Sequence, residues 1–348
     1  MDLALYHPDL GYYARTVQRS GRAGDFFTSV DVGPLFGELL AVQIAEMAAL
    51  LGGSEFHLAE AGAGNGRLAA DILGAIKRDR PALYQATRLH LIEASAAARN
   101  AQRDTLGPLA ERLAAASAAL PASFEGVIVA NELLDAMPAH QVVMREPGLQ
   151  EIYVDEVNGQ LALIEGPLST PRLSAYFDDL GIELEPGWTA EVALSAVDWV
   201  RDALSRMTRG FAVFIDYGHE ARELYSVTHS AGTLTSYSRH RSTGPESAAA
   251  PDWLREPGDQ DLTAHVDFTS AQRAAGAAGA TTLGFLDQMY FLMALGTERF
   301  ATLDLKGRLA LKTLLMPGGL GTTMKVLIFG KGVGTPALTG CSGHVRVT

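Results

Sequence analysis

The sequence has a single cysteine, no long apolar run and fewer basic than acidic residues. Because Cys341 is the only cysteine among the 348 residues, no disulfide can form within the chain. We therefore expect a reducing, cytosolic-type compartment. The opening residues lack a basic stretch followed by an apolar one, so we expect no signal peptide. No apolar run is long enough to span a bilayer, so no membrane insertion is expected.

The charge balance also restricts the classes of partner. Lys and Arg number 28 against 40 Asp and Glu, which gives a formal net charge of -12 at pH 7. Nucleic-acid binding needs a basic surface and is therefore not expected. An acidic surface suits a cationic partner, and it equally suits a protein that only needs to stay soluble.

Several motifs of catalysis are missing as well. The sequence contains no H-E-x-x-H, no C-x-x-C and no G-x-S-x-G, which removes the commonest signatures of zinc enzymes and serine hydrolases. His240 and His265 are each isolated in their segments. We therefore predict no metal site.

A glycine-rich turn is present in the stretch EFHLAEAGAGNGRLAADIL (55–73), between a predicted strand and a predicted helix. Gly62, Gly64 and Gly66 permit positive φ and let the backbone lie close to a ligand. Backbone N–H groups and a helix N-terminus would face that ligand. Arg67 stands where the dinucleotide fingerprint needs its third glycine, so an NAD enzyme is disfavoured. A merely tight turn is the alternative.

Strands and helices alternate over the first part of the chain. Apolar periodicity predicts strands at 56–61, at 88–95 and from 126, and helices from Pro34, over 67–78 and over 96–106. This β-α-β alternation predicts an α/β fold with a doubly wound, parallel sheet.

The second half is less regular. The sequence predicts short strands within 141–166 with a hairpin at Asn158–Gly159, an irregular segment 167–187, a helix 190–208, a strand 211–218, a mobile polar loop 219–262, a helix 268–278, a strand 280–285, a helix 286–301, a strand 325–330 and a loose tail after Gly332. The hairpin prediction rests on the Asn-Gly dipeptide. The loop prediction rests on the Gly, Pro and Ser content of 219–262.

Polar residues follow the predicted strands at the edge where a doubly wound sheet binds its ligand. The carboxylate of Glu93 offers two oxygens, which match the two hydroxyls of a ribose, although an acid at a helix N-terminus is the alternative. Asn131, Glu132 and Asp135 follow the apolar stretch VIVA, and Asp216 follows a second apolar strand. Each of these four is either a helix cap or a group of a functional site.

Eight segments, spread over nearly the whole chain, match the motifs of one protein family in the family's order. They are GYY (11–13), GDFFTS (24–29), EAGAGNGRLAADIL (60–73), IEAS (92–95), ANELLDAMP (130–138), IDYGHE (215–220), GTLTSYSRHR (232–241) and QDLTAHVDF (260–268). In these segments the chain resembles the MidA family of S-adenosylmethionine-dependent methyltransferases. Mitochondrial members of that family are complex I assembly factors that methylate an arginine on a complex I subunit.

The resemblance implies a seven-stranded class I methyltransferase (Rossmann-like) fold with S-adenosyl-L-methionine as cofactor. It divides the chain into an N-terminal extension over the cofactor site (1–50), the cofactor-binding half (51–140), an inserted α+β substrate region (141–190), the second half of the methyltransferase domain (191–332, with a mobile loop at 219–262) and a loose tail (333–348). Two departures stand out: an insertion around 245–256, and Ala63 and Val30 where the family often has proline.

The resemblance also implies roles for individual residues. On the cofactor side, it assigns the glycine turn to Gly62, Gly64 and Gly66, the ribose contact to Glu93, and the methionine end of the cofactor to Asp25, Thr28 and Ser29. On the substrate side, it assigns Asn131, Glu132 and Asp135. Asn131 is also expected to contact the cofactor. A carboxylate pair can orient a guanidinium through two hydrogen bonds. One acid among Glu132, Asp135 and Asp216 could accept its proton.

We therefore predict a protein-arginine methyltransferase whose substrate is an arginine of a partner protein, such as a respiratory complex subunit. A small-molecule methyltransferase and a non-catalytic assembly factor that binds the cofactor are the alternatives. The expected location is a bacterial-type cytoplasm, or the mitochondrial matrix if the chain is eukaryotic and its leader is missing. The sequence does not fix the oligomeric state, and a homodimer is one option.

Overall fold

The computed structural model describes residues 1–15, 28–238, 241–244, 251–296 and 299–342. Within these ranges the strands are β1 (Phe56–Ala61), β2 (Thr87–Ile92), β3 (Leu113–Ser117), β4 (Phe124–Asn131), β5 (His140–Arg145), β6 (Gly148–Val157), β7 (Gln160–Gly166), β8 (Thr189–Val192), β9 (Met207–His219), β10 (Thr235–Ser238), β11 (Arg241–Thr243), β12 (Asp261–Thr263), β13 (Val266–Asp267), β14 (Thr281–Asp287) and β15 (Met324–Lys331). The helices are α1 (Asp2–Tyr6), α2 (Tyr12–Arg15), α3 (Leu35–Leu51), α4 (Arg67–Asp79), α5 (Pro81–Ala86), α6 (Ala96–Leu106), α7 (Arg172–Leu180), α8 (Leu194–Arg206), α9 (Ala221–Leu224), α10 (Phe268–Ala277), α11 (Gln288–Gly296), α12 (Leu305–Leu315) and α13 (Leu320–Thr323).

The central sheet has seven strands in the order β14-β15-β9-β4-β1-β2-β3, and the short strand β13 pairs with the end of β9. The pairs among β1, β2, β3, β4 and β9 are parallel, whereas β15 runs antiparallel to both of its neighbours. The order reverses at β1, so the predicted doubly wound α/β sheet is confirmed. The sequence did not predict β3, because the stretch LAAAS has no long apolar run.

Helices cover both faces of this sheet, which explains why its central strands are apolar throughout. In β9, Val213 and Ile215 pack into the core beneath α3 and α4, whereas Ala212 and Phe214 pack into the core beneath α8 and α10. A parallel strand that is buried on both faces needs apolar residues at every position. The run FAVFI is therefore a consequence of the sheet's central position.

The inserted region forms a second, antiparallel sheet of order β7-β6-β5-β8. Its predicted hairpin is confirmed, with φ of 53° at Asn158 and 79° at Gly159, as a tight two-residue hairpin requires. Two predictions here were wrong. Residues 172–180 form α7, whose Leu173 and Phe177 pack into a separate core, and the predicted helix 190–208 begins only at Leu194 because Thr189–Val192 is a strand.

The predicted helix 286–301 begins only at Gln288, and α12 was not predicted. Further differences concern segments that were predicted to be loose. The polar stretch 219–262 contributes α9 and a small sheet of order β11-β10-β12 within its described residues. In the predicted tail, Leu338 is buried and Thr339 hydrogen-bonds to Glu46 of α3. Polar composition thus did not prevent packing where neighbouring elements supplied partners. No described helix combines the length and the apolar character that a membrane crossing requires.

Candidate active site

Four neighbouring parallel strands end at one edge of the central sheet, and each is followed by a polar or glycine-rich turn. Gly62 follows β1, Glu93 follows β2, Glu132 follows β4, and Asp216 lies near the end of β9. The register places Ala61 beside Ile92 and Ala130, and Asn131 beside Ile215. The four predicted turns therefore meet at the carboxyl edge, where doubly wound sheets bind their ligands.

The glycine turn adopts the conformation that its sequence predicts. The φ angles of Gly62, Gly64 and Gly66 are 70°, 51° and 86°, in the left-handed region that L-residues rarely adopt. A Cβ on Gly62 would lie 3.0 Å from Leu133 Cδ1 and one on Gly66 would lie 3.2 Å from Leu91 Cδ1, whereas one on Gly64 would meet nothing within 4 Å. Gly64 thus exposes bare backbone toward open space, as a turn that holds a ligand requires.

Glu93 joins the second strand to this turn. Its Oε2 accepts a hydrogen bond from Gly64 N (2.9 Å), and its Oε1 accepts one from Ser95 N (2.7 Å) at the start of α6. Gln102 donates to Gly64 O (2.9 Å) from the same helix. Each carboxylate oxygen retains a lone pair for a further donor. The structure therefore shows Glu93 both as an acid at a helix start and as a neighbour of the glycine turn.

The segment after residue 27 lies against the start of α4. Asp31 accepts hydrogen bonds from Thr28 N (3.0 Å) and Thr28 Oγ1 (2.9 Å), and Arg67 Nη1 reaches its other oxygen at 2.8 Å. Arg67 occupies the position where an NAD fingerprint would have its third glycine. Its side chain thus holds this segment beside the glycine turn. Ser29 is buried and donates to Gln288 Oε1 (3.0 Å). Asp25 lies outside the described residues.

Glu132 is held in an unusual backbone conformation. Its φ is 50°, and Asn158 in the hairpin turn is the other non-glycine residue with positive φ in the described part of the chain. A non-glycine residue in this region costs about 1–3 kcal/mol, and such strain is concentrated at functional sites. Glu132 accepts a hydrogen bond from Asn131 Nδ2 (3.0 Å). Asn131 Oδ1 is buried and has no partner among the described residues.

Glu132, Asp135 and Asp216 form a cluster of acids in which Asp135 and Asp216 are buried and Glu132 is half-buried. Burial raises the pKa of Glu132 to about 8, with a further contribution from the charge of Asp135. Burial also raises the pKa of Asp135 to about 6, although a hydrogen bond from the Tyr217 hydroxyl acts in the opposite direction. Within the described ranges, no lysine, arginine or histidine makes a salt bridge to any of the three. Lys325, which is opposite Asp216 in the register, pairs instead with Asp287 at 2.5 Å.

Asp216 has a different environment from the other two acids. Its Oδ2 accepts backbone N–H groups of Leu133 (3.2 Å), Leu134 (2.8 Å) and Asp135 (3.3 Å), and its Oδ1 accepts Tyr217 N (3.0 Å). Burial and the charges of Asp135 and Glu132 raise the pKa of Asp216 well above its ordinary value. These contacts cap the turn after β4, and no helix lies in the described residues between that turn and β5, so this is not the helix cap that the sequence offered as an alternative.

Sequence reasoning missed several residues of this site. The hydroxyl of Tyr13 donates to Asp261 at 3.0 Å. Burial raises the pKa of Tyr13 and of Tyr237, and the charge of Asp135 raises both further; for Tyr13, Asp261 contributes more than Asp135 does. Glu60, at the end of β1, is buried, and its burial raises the pKa to about 8. An acid directly before a glycine turn was a signal for Glu60. Both tyrosines lie in segments that carry the family resemblance, but no local pattern assigned them to the site, because they come from distant parts of the chain.

The strand order, the glycine turn and the acid after β2 together define a class I, S-adenosylmethionine-dependent methyltransferase. The family described as "Putative S-adenosyl-L-methionine-dependent methyltransferase" matches residues 39–286 of the chain. The chain belongs to this family, and S-adenosyl-L-methionine is its cofactor. The open space at Gly64 and the lone pairs of Glu93 fit such a ligand.

Curated relatives and a solved structure agree with this membership. The mitochondrial protein arginine methyltransferase NDUFAF7 of Mus musculus is 30% identical over 326 residues, which cover 86% of this chain and 70% of the relative. The protein of the same name from Danio rerio is 31% identical over 322 residues, covering 85% and 71%. A COG1565 superfamily protein from Burkholderia thailandensis, solved with S-adenosylhomocysteine bound, is 33% identical with a TM-score of 0.88, covering 98% of this chain and 88% of that one.

Proposed function

We propose that this methyltransferase methylates an arginine side chain of a partner protein. The observation that carries the proposal is the acid cluster of Glu132, Asp135 and Asp216 at the carboxyl edge of the sheet, which has no salt-bridge partner among the described side chains. The charge of Asp135 raises the pKa of Glu132, and the charges of both raise the pKa of Asp216, so neighbouring acids disfavour one another's ionisation. A cationic guanidinium would relieve that repulsion, so the site is complementary to an arginine.

Tyrosines beside the acids support the same substrate. Tyr13 and Tyr6 stack with their ring centroids 5.3 Å apart, Tyr6 Oη donates to Ala136 O (2.9 Å), and Tyr217 and Tyr237 interact with Asp135. Aromatic rings attract cations through their π-faces and give the acids' neighbourhood an apolar wall. A guanidinium is planar and weakly hydrated, which suits it to a site made of carboxylates and aromatic rings.

The three acids of the cluster would have different roles in the reaction. The cofactor, when bound, supplies an activated methyl group on a sulfonium sulfur. Glu132 and Asp135 would orient the guanidinium and keep its charge away from the attacking nitrogen, and one of them would accept the released proton. Asp216 would act as a positioning residue, since its hydrogen bonds hold the turn that carries the other two acids.

The names of the relatives support the same acceptor. The mouse and zebrafish proteins are named protein arginine methyltransferases and are mitochondrial by name. By analogy we propose a subunit of a respiratory complex as the partner, and a bacterial-type cytoplasm or the mitochondrial matrix as the compartment. The oligomeric state enters none of these arguments.

The test is to incubate the purified protein with a lysate of its own source and S-adenosylmethionine carrying an isotope-labelled methyl group. We expect label in one protein band, and methylarginine after acid hydrolysis of that band. The Glu132→Gln variant should give no label, and Glu156→Gln, which changes an exposed acid of the inserted hairpin, should label normally. Label confined to a small molecule would overturn the protein substrate, and no label at all would favour the assembly factor.

A further inference from the structure

Three histidines from separate segments meet beside the acid cluster. His219 ends β9, His229 lies in the turn Val227–His229 after α9, and His265 lies between β12 and β13. One ligand atom from each of the three lies within 4.8 Å of the others. Their ring centroids are 4.7 Å apart for His219 and His229, and 5.4 Å apart for His219 and His265. The sequence predicted no metal site because His265 is isolated in its own segment.

The fold itself produces this convergence. The short strand β13 pairs in parallel with the end of β9, so that Asp267 lies beside His219 and the preceding His265 lies near it. The third ring is fixed by its own contacts, since His229 Nδ1 lies 3.1 Å from Glu223 O and 3.2 Å from Thr228 Oγ1. A carbonyl can only accept, so His229 Nδ1 carries a proton and its Nε2 has the free lone pair. Metal-ligating histidines are oriented in this way by partners of their other nitrogen.

The other two rings also have nitrogens that hydrogen bonds do not satisfy. His265 Nδ1 is buried and has no hydrogen-bond partner among the described residues. His219 Nδ1 has no hydrogen-bond partner among the described residues, although Glu223 Oε1 lies 3.0 Å from it and would pair with the protonated ring. Buried polar atoms are normally paired, so an unpaired one calls for an explanation.

A histidine pair elsewhere in the molecule provides a comparison, because its two rings hydrogen-bond directly to each other. His57 on β1 and His90 on β2 stack and share a hydrogen bond of 2.9 Å between Nδ1 and Nε2. The cluster of His219, His229 and His265 has comparable ring distances, yet no hydrogen bond among its three rings is present in the described structure. Direct pairing therefore does not account for the approach of the three rings.

We propose that His219, His229 and His265 bind a divalent transition-metal ion of the zinc type. Three imidazoles and one open position are a known zinc ligand set, and the carboxylate of Glu223 lies beside the cluster, 3.0 Å from His219 Nδ1. Tetrahedral ligands about 2.1 Å from zinc lie about 3.4 Å from one another. The separation of at most 4.8 Å would close to that value through small side-chain rotations.

Such an ion would join the turn that carries His229 to the end of β9 and to the segment before β13. The ring of His265 also meets the ring of Tyr217 edge to face, with centroids 5.7 Å apart. Because Tyr217 and Asp135 interact electrostatically, the ion would stabilise the wall of the acid cluster without touching the acids. The proposal is independent of the proposed substrate.

Metal binding is tested on the full chain, purified without a histidine tag and stripped with EDTA. Titration with cobalt chloride should produce the visible absorption bands of tetrahedral Co²⁺ at one ion per chain, and zinc chloride should abolish those bands. Zinc should also raise the melting temperature, since a ligand that binds only the folded state stabilises it. Absence of the bands and of a melting shift in the wild-type protein would overturn the site.

Variants locate the site. His229→Ala should weaken Co²⁺ binding by about 100-fold or more, because loss of a direct ligand costs at least as much as loss of a residue that supports one. His265→Ala should do the same, and if it fails to fold, the half-buried His229 decides alone. His57→Gln, in the paired histidines, should bind as the wild type does. Unchanged binding by His229→Ala, or equal weakening by His57→Gln, would refute the assignment.

Discussion

The glycine turn offers the sharpest test of the cofactor site, through the substitution Gly64→Val. Gly64 has φ of 51°, and a Cβ added to it meets no protein atom within 4 Å. In the free protein the substitution therefore causes backbone strain without a clash of the added Cβ. The strain amounts to about 1–3 kcal/mol. The isopropyl group, however, occupies the space in which the cofactor would contact the turn.

Gly181 provides a matched control because it has the same two properties away from the site. It follows α7 with φ of 67°, and a Cβ there also meets nothing within 4 Å. Gly64→Val and Gly181→Val should thus lower the melting temperature by similar amounts. Only Gly64→Val should weaken S-adenosylhomocysteine binding, by about 100-fold or more, which corresponds to roughly 2.7 kcal/mol.

Calorimetric titration with S-adenosylmethionine and with S-adenosylhomocysteine measures the effect, and circular dichroism confirms that both variants are folded. Normal binding by a folded Gly64→Val variant would show that the cofactor lies elsewhere. Equal losses of binding in both variants would show that the effect arises from instability and not from the occupied space. NAD should give no heat with the wild-type protein.

Three further substitutions test the acids, with the exposed Glu156→Gln as the common control. Glu93→Ala should weaken cofactor binding by about 10-fold or more in the same titration, because its carboxylate supports Gly64 N; unchanged affinity would leave Glu93 as a helix-start acid only. Glu132→Gln should keep cofactor affinity and lower turnover by about 100-fold or more, and normal turnover would make it a structural residue. Since the pKa of Glu132 is about 8, wild-type kcat/KM should rise with pH up to about that value, and a flat profile would contradict a required carboxylate. Glu60→Gln should gain stability relative to the wild type as pH rises from 5 to 8: the folded pKa of Glu60, about 8, exceeds its ordinary value, so the wild type loses stability over that range at up to about 1.4 kcal/mol per pH unit. Denaturant unfolding across that range measures this difference, and parallel curves would contradict the buried, protonated acid.

The sequence by itself determined the features that depend on local periodicity and turn chemistry. The strand 56–61, the helix 96–106 and the hairpin at Asn158–Gly159 were predicted correctly, because each is specified by residues close together in the chain. The family resemblance added the seventh strand and the cofactor, since motifs in a fixed order carry information about the fold that composition lacks.

Only the tertiary structure decided which residues meet. Asp216 and the turn after β4 are more than eighty positions apart, and the sequence left Asp216 as either a cap or a proton acceptor until its contacts with Leu134 and Asp135 were seen. The three histidines likewise come from three segments without a shared motif. Helix α7 was not predicted because its apolar side packs into a small core of the inserted region, and part of that core is distant in the sequence. Contacts between distant segments depend on strand order and register, and neither is encoded in a local pattern.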